Sequence, residues 1–93
     1  MSVYKVGIMT STALVEGPNA AAAALFYGLH THGNLQLGVA VYECDGKAYE
    51  GDRMPWGKYA FNPNPRDAVI KEFEMQIKVI RPDVDKCHFV EES

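Results

Sequence analysis

The residues of this chain that could carry chemistry are three histidines, two cysteines and a run of hydroxyl side chains near the start. His30 and His32 stand two apart in an Ala-rich segment. On a helix they would point about 200° apart and could not clamp one metal ion. Cys87 and His88 are adjacent and, on a strand, face opposite ways. No spacing here matches a zinc site, and no metal is expected. Ser11, Thr12, Cys44 and Cys87 sit in no strained Gly-x-Ser-x-Gly turn, and a histidine acting as base on either thiol would need a spatial convergence that the sequence does not show. Cys44 and Cys87 lie in apolar or β-rich stretches, which reads as free buried thiols in a reducing compartment.

Thr10, Ser11 and Thr12 offer hydroxyls just before Gly17-Pro18-Asn19, which opens a helix. Free N–H groups and the dipole at such an end attract anions, so Thr10, Ser11, Thr12 and Asn19 form the candidate site for a small anionic ligand. Capping by Asn19 alone is the plainer use of that residue. Neither Gly-x-Gly-x-x-Gly nor a Walker pattern occurs, and no cofactor is implied. A second candidate is the Pro-rich segment Met54 to Pro65, where Trp56, Tyr59 and Phe61 are presented at low entropy cost. Aromatic side chains of this kind are enriched at recognition surfaces, although large aromatics also seal cores.

The elements that must position these groups follow from patterning. Val3 to Thr10 alternates as a strand, with Tyr4, Val6 and Ile8 on one face. Thr10 to Pro18 reads as a connection, with room for a short strand at Ala13-Leu14-Val15. Residues 19–32 form a helix, capped by Asn19, buried along Ala22, Leu25, Phe26 and Leu29, and stopped by Gly33. Leu35 to Cys44 is a strand apolar on both faces. Asp45-Gly46 marks a type I′ hairpin that pairs Tyr42 with Tyr49. That register sets Glu50 against Val41 and Asp52 against Val39. Either the hairpin tip projects beyond the core, the simpler solution, or a bulge near Gly51 shifts the register. Asn64-Pro65-Arg66-Asp67 starts a second helix with a stripe of Val69, Ile70, Phe73, Ile77 and Ile80, ended by Pro82. Lys86 to Glu91 is a last strand. The expected fold class is α+β: a ferredoxin-like β-α-β-β-α-β sandwich, with two helices on one face of an antiparallel sheet.

Val3-Tyr4-Lys5-Val6-Gly7 is similar to the first-strand aromatic motif of RNA-recognition-motif domains, and Lys58-Tyr59-Ala60-Phe61 resembles part of their third-strand motif. The resemblance implies aromatics on an open sheet face that stack exposed bases. It covers about ten residues. It departs from the pattern where Gly57 precedes Lys58 and where Asn62-Pro63-Asn64 interrupts the strand.

Length and composition fit one domain over residues 1–93. The net charge of −3, with no basic block, makes nucleic acid the less favoured partner. The longest apolar run, Ala20 to Phe26, is too short to span a bilayer and lacks a signal peptide's basic flank. A cytoplasmic binding protein without catalytic activity is the leading expectation. It would act through an exposed sheet face or the aromatic segment, as a homo-oligomer, with a protein partner or a small anion. The face around Tyr42 and Tyr49 is the expected self-association surface. The alternatives are a single-stranded nucleic-acid binder and a small enzyme whose site is shared between subunits.

Overall fold

A computed structural model describes residues 1–33, 36, 38–51 and 67–91, except for the side chains of Val69 and Phe73. The elements run β1 (Ser2–Ile8), β2 (Ser11–Gly17), α1 (Ala20–His32), β3 (Ala40–Cys44), β4 (Lys47–Ala48), α2 (Asp67–Val84) and β5 (His88–Val90). Among the described residues the strands form one antiparallel sheet in the order β4-β3-β1-β2-β5. The α+β class, with an antiparallel sheet and two helices, therefore stands. The strand order differs from the ferredoxin-like arrangement, because a whole hairpin precedes α1.

That extra strand replaces the expected connection. Ile8 pairs with Ser11 across Met9-Thr10, and Met9 takes the left-handed φ of 57°. A two-residue turn with positive φ normally advertises itself by Gly, Asn or Asp. Here a methionine fills the place, so the sequence carries no turn signal. β2 and β3 run in the same direction on either side of β1, and α1 crosses from one to the other.

Helix α1 is held at both ends as the sequence dictates. The Asn19 side chain accepts from the Ala22 N–H at 2.8 Å, and Gly33, at φ 75°, donates its N–H to Leu29 O at 3.1 Å. Burial is not confined to a stripe: every residue from Ala20 to Gly28 is buried. The helix touches β1, β2 and β3 on one side and α2 on another. An apolar helix of small residues is stable only when covered in this way. Its side chains join Tyr4, Val6 and Val15 of the sheet, and Val39 just before β3, in one core.

Helix α2 contributes Ile77, Ile80 and Val84 to that core. Ile70, expected in the same stripe, is 37% exposed. Val69, Phe73 and the start at Asn64-Pro65-Arg66 lie outside the described side chains or residues. Pro82 does not end the helix, which continues to Val84. In the last turn a proline's fixed φ is still helical, and the loss is one bond to the Lys78 carbonyl.

Between β1 and β3 the register shifts at Lys5/Val6: Lys5 faces Glu43, but Val6 faces Val41, leaving Tyr42 as the extra residue. This bulge puts both Val41 and Cys44 against the core, although they are three residues apart. Asp45 (φ 52°) and Gly46 (φ 79°) make the expected hairpin, and Tyr49 N–H donates to Tyr42 O at 2.9 Å. The tip is tied back to β1, since the Asp45 carboxylate accepts from Val3 N–H at 2.9 Å. The β3–β4 ladder ends at Ala48, so Glu50 does not pair with Val41, and Asp52 lies outside the described residues.

Candidate functional site

The two thiols are placed by the sheet. Cys87 packs against Gly17, where an added Cβ would lie 2.6 Å from its Sγ. Burial first, then the nearby Asp83 carboxylate, pushes the Cys87 thiol up to about 11, the opposite of what a nucleophile needs. Cys44 is half-buried, with its Sγ 3.6 Å from Asp45 Oδ2. Both are free, and β1 runs between the strand of Cys44 and the strand end that holds Cys87. The histidines diverge as their spacing requires. His30 stacks on Phe26 at 4.0 Å and His32 approaches Tyr27 edge-on. His88 sits on the other side of the sheet, 3.3 Å from Glu16. Among the described residues no three His, Cys, Asp or Glu side chains converge as metal ligands would.

The anion-site residues are not brought together. Asn19 lies at one end of β2, and Thr10, Ser11 and Thr12 lie at the other, a strand length of about 20 Å away. The hydroxyls keep company with the far half of α1, where Tyr27 Oη donates to Ser11 O at 3.0 Å. The true N-terminus of α1 is already served. Asn19 Nδ2 donates to Asp83 Oδ2 at 3.0 Å, which places a carboxylate of the chain itself beside the free N–H groups.

The aromatics also divide. Tyr4 is buried at 8% exposure and meets Tyr49 edge-on at 6.4 Å on the helix-facing side of the sheet. Burial, with a smaller contribution from Cys44, holds the Tyr4 hydroxyl above its ordinary range. It is not on an open face and cannot stack a base. Tyr49 packs against the core, while Tyr42 at the bulge is 39% exposed. The expected open apolar face built around both tyrosines is therefore not formed. The face away from α1 carries Lys5 beside Glu43 and Glu16 beside His88, a pattern suited to water. Trp56, Tyr59 and Phe61 lie outside the described residues.

One surface was missed by the sequence reading. On α2, Met75 is 69% and Val79 is 72% exposed, on the side opposite Ile77, Ile80 and Val84. Ala68 and Pro82, both exposed, continue the same line at helical spacing. Lys71 and Lys78 flank this line on one side, and Glu72 and Asp83 on the other. An open groove lined by Lys78, Arg81, Pro82 and Asp85 runs beside it. The signal was present: continuing the helical wheel past the core stripe reveals a second apolar line. Among the described residues no helix is long and apolar enough to cross a membrane. Comparison with known protein families, curated proteins and solved structures gives no match.

Proposed function

We propose that this chain is a small interaction domain that works by association with another protein chain, not by turnover, and that the outer face of α2 is its binding surface. The observation that carries this reading is the exposure of Met75 and Val79 at helical spacing on a helix already satisfied on its other side. Scattered exposed apolar residues need no explanation, but an aligned pair with apolar continuation does. Fully burying a Met or Val side chain yields about 1.5–3 kcal/mol, so a partner covering this line gains directly. The chemistry-bearing residues point the same way, since Cys87 is a core thiol and Asn19 is spent on capping and on Asp83.

The test is Met75→Glu with Val79→Glu, two changes at exposed positions that leave the core contacts of α2 in place. The protein, tagged and expressed in its own cells, is sized by gel filtration with light scattering. The parent is expected in a complex larger than the monomer, and the double variant at monomer size with its unfolding midpoint little changed. A parent that runs as a monomer, or a complex that survives both glutamates, would overturn the reading.

A further inference from the structure

We draw no further inference here: the strongest candidate, the exposed Met75/Val79 face of α2, carries nothing beyond the association already proposed for it, because nothing in the structure shows what covers it.

Discussion

Helix α1 is buried from Ala20 to Gly28, whereas α2 buries Ile77, Ile80 and Val84 and turns Met75 and Val79 outward. The two helices touch, yet they answer different demands. In α1 an alanine run lets the backbone come close to the sheet and to α2, and no side is left for a ligand. In α2 one side suffices for the fold, so the residues on the other are free to serve something else. A buried helix reports on stability, and a half-buried helix with apolar residues on both sides reports on association.

The largest expected effect lies inside α1. Leu25 is 1% exposed, and Leu25→Ala should cost about 2–5 kcal/mol in urea titration. Ala23 is fully buried, and Ala23→Val should cost about 1–3 kcal/mol by crowding a packed site. Losses below 1 kcal/mol for both, by the same core-packing argument, would break the contrast between the helices.

Next is Cys87, where α2 leads into β5. Its thiol, raised from 9.0 to about 11 in the fold, binds its proton more tightly folded than unfolded. The resulting stability is complete below about pH 9 and is lost as pH rises through about 11, on the order of 2 kcal/mol. Cys87→Ala should flatten that alkaline decline relative to the parent, measured as unfolding midpoints at rising pH. Parallel curves would show that the thiol is not protected by the packing around Gly17.

A smaller effect is expected at the joint between the helices. Asn19→Ala removes the cap of α1 and the bond to Asp83 together, at a cost of about 1–2 kcal/mol. Asn19→Asp keeps the capping oxygen but sets a second carboxylate against Asp83, so it should fall between parent and Ala. Equal stability of Asp and Ala at this position would mean that the cap contributes little.

What the sequence made legible follows the same division. Asn19, Gly33 and Asp45-Gly46 are local signals, and each does in the structure what its type requires. The β1–β2 hairpin was hidden because Met9 adopts a backbone angle that its residue type does not advertise. The bulge at Tyr42 was hidden because two apolar faces on β3 look alike until β1 fixes the register. Thr10, Ser11, Thr12 and Asn19 look adjacent in the chain, but the strand that separates them runs over Ser11–Gly17, longer than the short one expected at Ala13-Leu14-Val15. The outer line of α2 is legible only on a helical wheel carried past the core stripe, where Met75 and Val79 fall opposite Ile77 and Ile80.

The smallest effect is also the one that separates fold from association. Val79 is 72% exposed, so replacing it with alanine removes almost no buried surface from the monomer. Alanine is the better helix former, since valine loses side-chain freedom against the preceding turn. Val79→Ala should therefore leave the domain as stable as the parent or more stable by up to about 0.5 kcal/mol. The same change should weaken the association proposed for the outer face of α2, because that face loses two methyl groups. Stability and association thus move in opposite directions on one substitution, measured by thermal unfolding at low concentration and by sedimentation. In α1 the reverse exchange, Ala23→Val, is expected to destabilise. A fold stability that drops on Val79→Ala would place this side chain in the domain's own packing and remove the basis for an outward-facing binding surface.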